Sequence, residues 1–426
     1  MNPVVVATKG KGALNVARRA GVIGARYGFD PGRMERRVAT VLELVERHGG
    51  GATLPITAAP MGRNPQIVSR YADLGIEFAV HGYYHVDHAG MTAEEQIDQA
   101  ERARRLMLVN GIESIGFRAP YLRSNAGTVI ALRESGFLYD SSQAMHWSIR
   151  PHLETDAYRR ALRFYGSLPA EDYPVLPWLE DDVVRIPCCL PDDESVVERL
   201  RIRSVEAIAN LWLDIWRRTD ERGELFTMQV HPERIGPCGP GVAAVLDAAG
   251  SSGPTVWRAR MDEIARWWRD RSAATVDVRD DGIGRLRLRC LGPDGLTVLV
   301  RNVDVSASEP WSDGYRRVRA VEFDARGERR PFIGVHPTSP ERLVSFLRQQ
   351  GYLVERAGSG SGHSFFLRRE RFSRADERSL LDEIEGGTFP LVRFGRWPNA
   401  ARSALAVTGD VDALTIWDYA LRFLGR

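Results

Sequence analysis

Three histidines lie within eight residues, directly after an apolar segment. His81 and His85 are four residues apart in the motif HGYYH, and His88 follows them. Two imidazoles at this spacing can converge on one divalent ion if the segment turns helically. His88 could replace His85 as a ligand, or it could line the cleft and contact substrate. The cluster predicts a metal site. The alternative is that these histidines are hydrogen-bonded or lie at the surface and bind no metal.

Two aspartates follow another apolar segment, close to the end of the sequence. Asp410 and Asp412 come directly after residues 403–408 and are separated by one residue. One carboxylate could complete the metal-ligand set while the other accepts a proton from water. A solvated loop, or a helix N-cap formed by Asp412, explains the same pattern equally well.

Two further predicted strands end in residues that suit hydrolysis. Arg118 stands in FRAPY, where its permanently charged fork could orient a catalytic aspartate. His231 stands in VHPERIG, where it could protonate a leaving amine. Either residue alone could be structural, but four such strand ends together favour a catalytic site.

Other aspartates fall on the same predicted rim. Asp140 follows one strand, and the pair Asp192 and Asp193 follows another. We expect Asp140 and Asp193 to contact substrate hydroxyls, although turn or cap roles fit these positions as well.

Composition sets the limits within which these motifs must work. The 426 residues have room for one large domain and a smaller one. The 58 basic and 56 acidic side chains leave a net charge of +2, so no nucleic-acid partner is expected. The four cysteines form no CxxC pair and predict buried free thiols. With no signal peptide and no long apolar run, the sequence predicts a cytoplasmic protein without a transmembrane segment.

The elements that carry the motifs alternate between strand and helix from about residue 32. Residues 145–175 are predicted to be irregular. This alternation predicts a parallel sheet or barrel with its chemistry at the carboxyl ends of the strands. Strands are predicted over residues 52–57, 76–80, 114–117, 137–140, 183–187, 225–230 and 403–408, and helices over 33–48, 64–74, 92–110, 126–135, 205–217, 256–269 and 414–426.

The pattern changes at about residue 273. Apolar and polar residues alternate over residues 274–305 between turn signals, which predicts antiparallel strands. A helix (339–350), a strand (352–356), a flexible Gly/Ser tract (357–363) and a charged helix (374–385) follow. We predict three sections: residues 1–272 as the first part of a barrel, 273–373 as an accessory β-rich α+β domain, and 374–426 as the rest of the barrel.

The sequence resembles the NodB-homology polysaccharide deacetylases, carbohydrate esterase family four, in four motifs: HGYYH, FRAPY, VHPERIG and the aspartate pair. The resemblance covers about residues 28–240 and 390–426. The resemblance implies a distorted (β/α)7 TIM-like barrel. It implies that Asp412, His81 and His85 hold a divalent metal, with zinc as the default and cobalt, nickel or iron also suited to these ligands.

The resemblance also assigns the remaining catalytic roles. Asp410 would be the general base and Arg118 its partner. His231 would be the general acid, and the backbone N–H of Tyr121 would stabilise the oxyanion.

Some features depart from the family pattern. The aspartate motif comes last in this sequence instead of first, which implies a circular permutation that moves one barrel strand to the C-terminus. The aspartates are spaced DxD and are not adjacent. Gly82 stands where a Ser or Thr is usual, and Gln229 stands where an apolar residue is usual in the acyl pocket.

The resemblance implies metal-dependent hydrolysis of an N-acyl amide, and we expect N-deacetylation of an amino sugar in a small molecule or glycoconjugate precursor. The partner is then an N-acetylated sugar or a sugar-containing small molecule, and a homo-oligomer is compatible with the sequence. Alternatives are hydrolysis of a non-sugar amide or cyclic ureide, and non-catalytic carbohydrate binding. The basic segment around Lys9, Lys11, Arg18, Arg19 and Arg26 predicts a solvated helix, or contact with an anionic membrane.

Overall fold

The computed structural model describes residues 24, 26–72, 74–251, 255–281 and 284–422. Its α-helices are α1 (Gly32–Arg47), α2 (Ala58–Arg63), α3 (Pro65–Ala72), α4 (Ala93–Val109), α5 (Ala126–Glu134), α6 (Asp156–Tyr165), α7 (Val205–Glu221), α8 (Ile235–Ser251), α9 (Met261–Ser272), α10 (Glu341–Gln349), α11 (Glu377–Glu385) and α12 (Ile416–Leu421). Among the described residues, no helix is both long and apolar enough to cross a membrane.

The strands fall into two groups along the chain. The first group is β1 (Ala52–Ile56), β2 (Ile76–Val80), β3 (Gly116–Phe117), β4 (Tyr139–Asp140), β5 (Ala144–His146), β6 (Leu168–Pro169), β7 (Trp178–Glu180), β8 (Val183–Arg185), β9 (Cys188–Leu190), β10 (Leu225–Gln229) and β11 (Val256–Arg258). The second group is β12 (Thr275–Asp280), β13 (Arg285–Leu291), β14 (Val298–Arg301), β15 (Asp304–Val305), β16 (Ser308–Pro310), β17 (Arg316–Val318), β18 (Glu322–Arg326), β19 (Arg330–Val335), β20 (Val354–Arg356), β21 (His363–Leu367), β22 (Leu391–Phe394) and β23 (Ser403–Thr408).

The largest sheet has the strand order β10-β23-β1-β2-β3-β4-β8-β7. Neighbours from β10 to β8 run parallel, whereas β7 pairs antiparallel with β8. Helices connect most of the parallel strands, and α1, α7 and α8 contribute to the main hydrophobic core with them. The mixed α/β fold that the alternation predicted is therefore confirmed.

The last strand of the chain lies inside this sheet. In β23, Leu405 lies opposite Phe226 of β10, and Val407 lies opposite Ala52 of β1. All residues of β23 are buried, as expected for an apolar strand covered on both faces. Because the carboxyl ends of parallel strands meet at one edge, the segment after β23 lies beside those after β2 and β10.

The strands from β12 to β22 form three smaller sheets, with the orders β12-β13-β18-β15, β16-β17-β14-β22 and β20-β19-β21. Residues of β13 alternate between exposed and buried, which fits the predicted period of two. β22 pairs with β14, so the antiparallel section continues to Phe394. Its core is a separate buried cluster that includes Leu288, Val300 and Phe323. Leu299 of β14 instead belongs to the buried cluster that contains Ala404 of the large sheet.

Several predicted elements need correction. Residues 256–258 form β11, which pairs with β23, so the helix predicted from residue 256 begins only at Met261. The stretch from 145 to 175 is not irregular, because it contains α6. The tract over 357–363 leads into β21, a strand that was not predicted, and α8 was not predicted either. The four cysteines are free and buried, as expected.

Candidate active site

The first imidazole is fixed by the backbone of two strand ends. His81 follows β2, and its main-chain N–H donates to the carbonyl of Ile56 at 2.9 Å. Its Nδ1 lies 2.8 Å from the carbonyl oxygen of Arg118, which makes Nδ1 the protonated nitrogen. The lone pair of Nε2 then faces the aspartates, at 3.4 Å from Asp412 Oδ1 and 3.8 Å from Asp410 Oδ2.

The loop after His81 differs from the helical turn that the histidine spacing suggested. Residues 81–87 form no helix, and Gly82 has a φ of 76°. A Cβ on Gly82 would lie 2.7 Å from the carbonyl oxygen of Tyr84. Both the backbone conformation and the lack of space require glycine here, which explains why no hydroxyl side chain follows the first histidine.

The second imidazole comes to the same place from this loop. His85 Nε2 lies 3.2 Å from Asp412 Oδ1, and its ring stands edge-on to the ring of Tyr121 at 4.5 Å between centroids. Burial, together with the neighbouring Arg422 guanidinium, lowers the pKa of His85 to about 3. The imidazole is therefore neutral at physiological pH, the form in which a histidine binds a metal.

The distances between these atoms fit a tetrahedral ion. Metal bonds of about 2.0–2.2 Å separate the ligand atoms of such a site by about 3.3–3.6 Å. Asp412 Oδ1 lies 3.2 and 3.4 Å from the two Nε2 atoms of His85 and His81. Burial opposes ionisation of Asp412, but Arg422 and His85 hold its pKa well below the usual range. Two imidazoles and a carboxylate are a donor set that suits zinc and similar divalent ions.

The other aspartate of the pair is held by two donors. Arg118 Nη1 donates to Asp410 Oδ1 at 2.8 Å, and Gln229 Nε2 donates to Oδ2 at 2.8 Å. Arg118 is fully buried, and the main chain and hydroxyl of Ser141 also accept from it. Burial of Asp410 works against ionisation, yet Arg118, His81 and His231 lower its pKa below the usual value. The structure thus presents Asp410 as a carboxylate beside the ligand cluster.

The imidazole of His231 lies in the opposite electrostatic setting. Its Nδ1 is 2.7 Å from Asp193 Oδ1, and its main-chain N–H donates to Asp193 Oδ2 at 3.0 Å. Burial alone would lower the pKa of His231, but Asp193 and Glu233 raise it to about 10. Asp193 is itself fully buried, so the expectation that it contacts substrate is wrong. Its carboxylate instead fixes the orientation and charge of His231.

Two other residues expected in the cleft lie behind it. Asp140 is fully buried and forms an ion pair with Arg185, with 2.9 Å between Oδ2 and Nε. His88 is also buried, and its ring packs against that of Phe117 at 5.3 Å. Neither side chain lines the cleft, so both expectations of substrate contact are corrected. Each follows a strand end, but its side chain points into the fold.

Tyr121 lies where a turn reverses the chain beside the ligands. Tyr121 and Leu122 have φ values of 61° and 54°, a conformation that non-glycine residues rarely adopt. The Tyr121 ring packs against His85 and Phe164 and forms part of the cleft wall. This strained turn lies next to His85, and strained backbone of this kind occurs often at functional sites.

The cleft that these residues enclose has a volume of about 60 Å³. Its lining also includes groups that the sequence did not single out, above all Arg422 from the end of α12 and the aromatic side chains of α6. No local pattern marks these residues, because they reach the cleft only through the tertiary fold. They are Phe164, Tyr165, Glu194, Arg199 and Arg422.

Comparison with known proteins shows which proteins part of this chain resembles. Residues 27–139 match the family model described as polysaccharide deacetylase. The peptidoglycan deacetylase-like protein FGM2 of Gibberella zeae is 31% identical over 130 residues, which are 30% of this chain and 36% of that protein. The chain thus spans about a third of the length of that curated relative. These matches confirm the predicted resemblance to polysaccharide deacetylases.

Solved structures resemble the chain more distantly. A polysaccharide deacetylase from Mycobacterium smegmatis has 23% identity and a TM-score of 0.43, covering 62% of this chain and 86% of its own. A polysaccharide deacetylase from Pseudomonas aeruginosa PAO1 has 22% identity and a TM-score of 0.44, covering 55% of this chain and 73% of its own.

Proposed function

We propose that this chain, a polysaccharide deacetylase relative over residues 27–139, is a metal-dependent hydrolase that removes the acetyl group from an N-acetylated amino sugar. The observation that carries the proposal is the placement of two oppositely charged groups around one ligand cluster. Asp410 is ionised on one side of it, and His231 is protonated in the same cleft. Amide hydrolysis needs such a base and such an acid.

Each group of the site has one proposed role. His81, His85 and Asp412 would hold the divalent ion, zinc by default, which supplies Lewis-acid activation when it is bound. Asp410 accepts a proton from the attacking water, and Arg118 keeps its carboxylate ionised and oriented. His231 donates its proton to the leaving nitrogen, and the backbone N–H of Tyr121 stabilises the negative charge on the former carbonyl oxygen.

The architecture is proposed to be a circularly permuted (β/α)7 barrel. The support is the position of β23, the last strand of the chain, which lies between β10 and β1 and is closely followed by Asp410 and Asp412. Residues 1–272 and 374–426 would then form the barrel and residues 273–373 the accessory domain. The pairing of β22 with β14 supports a later end of the accessory section, at about residue 394.

One observation favours a second candidate, a hydrolase of a polar amide or cyclic ureide. Gln229, at the floor of the cleft, uses one hydrogen of its Nε2 on Asp410, and its Oε1 accepts from Cys188 Sγ at 2.8 Å. The second Nε2 hydrogen is then available to a carbonyl or ureide oxygen of the substrate. A pocket with this polar side chain accommodates a carbonyl or ureide group better than it accommodates a methyl group.

The experiment combines metal analysis with product release. Purified wild-type protein, His81→Ala, Asp412→Ala and Asp410→Asn are assayed for bound metal and for acetate or ammonia released from N-acetylated sugars and from ureides. We expect His81→Ala and Asp412→Ala to lose metal. Asp410→Asn should keep the metal and lose about 10²–10⁴-fold in rate.

Exposed Asp277, changed to Asn, serves as the matched control and should behave as wild type. Equal metal content in the wild type and both ligand variants would contradict the ligand assignment. Wild-type turnover in Asp410→Asn would remove the proposed base, and metal binding with no turnover of any substrate would indicate a binding protein.

A further inference from the structure

Arg422 places a permanent positive charge on the ligand cluster. Its Nη1 donates to Asp412 Oδ2 at 2.8 Å, and its Nη2 lies 2.7 Å from Nδ1 and 3.0 Å from Nε2 of His85. The guanidinium therefore touches two of the three side chains that would hold the ion. The proposed mechanism gives Arg422 no role.

The position of Arg422 is built into the fold. The short helix α12 is held at its start by a capping box between Thr415 and Asp418, and Asp418 also pairs with Arg63 at 2.6 Å. The helix axis then directs Arg422 into the cleft, with its guanidinium 5.1 Å from the centre of the Tyr419 ring. Burial would lower the pKa of Arg422, but Asp412 raises it, so the charge is permanent.

A guanidinium and a divalent ion compete for these groups for two reasons. An arginine has only donor N–H groups, so a nitrogen lone pair of His85 that accepts from Arg422 cannot bind a metal at the same time. Two cations within a few ångströms of each other in a buried site also repel strongly, because screening by water is weak there.

We infer that Arg422 is a resident competitor of the metal ion, which neutralises Asp412 in the metal-free protein and must withdraw from His85 before an ion binds. The inference rests on the proposed function, because it takes His81, His85 and Asp412 as the metal ligands. Only the contact with His85 has to break. Arg422 can keep Asp412 Oδ2, because Oδ1 is the oxygen that faces the two imidazoles. Arg422 thus sets how tightly the site holds its metal.

The test measures Zn²⁺ affinity directly. Metal-free wild type, Arg422→Met and the control Arg36→Met are titrated with Zn²⁺ in competition with a chelator of known affinity. Methionine keeps the unbranched stem of the arginine to about the position of Nε and removes the charged guanidinium. Arg36 is exposed on α1 and touches none of the three ligands in the contacts that the structure describes. We expect Arg422→Met to bind Zn²⁺ at least about tenfold more tightly than wild type, and Arg36→Met to remain within about twofold.

Two further arms separate the inference from the proposed function. Adding His81→Ala to Arg422→Met should abolish the tighter binding. In excess chelator, Arg422→Met should unfold at a lower temperature than wild type, because Asp412 loses its counter-charge. Equal or weaker Zn²⁺ binding by Arg422→Met, or an unchanged unfolding temperature, overturns the inference while leaving the metal site intact. If the Zn²⁺ affinity of Arg422→Met is unchanged when His81→Ala is added, the proposed metal site is overturned instead.

Discussion

Two imidazoles line one cleft, each beside a carboxylate, and they have opposite protonation states. In the first pair, His85 beside Asp412 has a pKa lowered to about 3. In the second, His231 beside Asp193 has a pKa raised to about 10. Both imidazoles are buried, so burial alone does not account for the difference. The neighbouring charges do, since Arg422 lies against His85 whereas Glu233 adds a second negative charge near His231.

This difference separates two kinds of chemistry that use the same residue types. A histidine that binds a metal must offer a lone pair, and it therefore has to be neutral. A histidine that protonates a leaving amine must keep its proton at the working pH. The surroundings of each ring give His85 and His231 opposite protonation states, which fits the two different roles proposed for them.

The largest expected effect follows from removing the charge of Asp193. In Asp193→Asn the side chain keeps its size but no longer stabilises the protonated form of His231, whose pKa should fall from about 10 towards the ordinary value of about 6.5. At pH 9 we expect kcat/KM to fall about 10²–10⁴-fold, because the general acid is then deprotonated. The measurement is a pH–rate profile from pH 5 to 10.

In that profile the alkaline limb should move by several pH units towards lower pH. An alkaline limb at the wild-type position in Asp193→Asn would mean that another group donates the proton, and the contrast between the two histidines would lose its functional meaning.

The second prediction concerns folding stability and its dependence on pH in the presence of a chelator. The folded pKa of His231 lies above its unfolded value, so its stabilising contribution is complete below about pH 6.5 and is lost as pH rises through about 10. The folded pKa of His85 lies below its unfolded value. Its contribution is present above about pH 6.5 and is lost as pH falls towards about 3.

Replacing each histidine with glutamine should therefore remove a slope on opposite sides of neutrality. Each slope amounts to at most about 1.4 kcal/mol per pH unit, the value for one proton. Urea unfolding of wild type, His85→Gln and His231→Gln between pH 4 and 9.5 measures it. If both variants flatten the same side of the curve, the two imidazoles do not differ as described.

How much of this could be predicted from the sequence depends on whether the partners lie in one segment. His81, His85, Asp410 and Asp412 could be identified because each follows an apolar strand, and parallel strands bring their carboxyl ends together. The roles of Asp140 and Asp193 could not, because a position after a strand does not tell whether the side chain turns outward to the cleft or inward to Arg185 or His231.

The same limit applies to the elements themselves. The short strand β11 exists because Val256–Arg258 pairs with β23, almost 150 residues later in the chain, and its own sequence fits a helix equally well. Helix α6 did carry local signals, namely the N-cap Thr155 and the left-handed Gly166, so that helix could have been predicted. Arg422 has no such local signal.

The prediction of a solvated helix or a membrane contact near the start of the sequence is not addressed by the structure at Lys9, Lys11, Arg18 and Arg19, because these residues lie outside the described ones.

The smallest expected effect belongs to Asp192, the neighbour of Asp193. Burial and the charges of Asp193 and Glu194 raise the pKa of Asp192 to about 6, and its Oδ1 accepts from the main-chain N–H of Ser195 at 2.9 Å. Asparagine can accept the same hydrogen bond. The structure gives Asp192 no hydrogen bond to His231, so Asp192→Asn should change kcat/KM at pH 8 by less than about threefold, about 0.7 kcal/mol. The measurement is kcat/KM of Asp192→Asn and of Asp193→Asn under the same conditions. A much larger loss in Asp193→Asn means that the direct hydrogen bond keeps His231 protonated. Similar losses of kcat/KM in the two variants would mean that the combined negative charge around His231 does so.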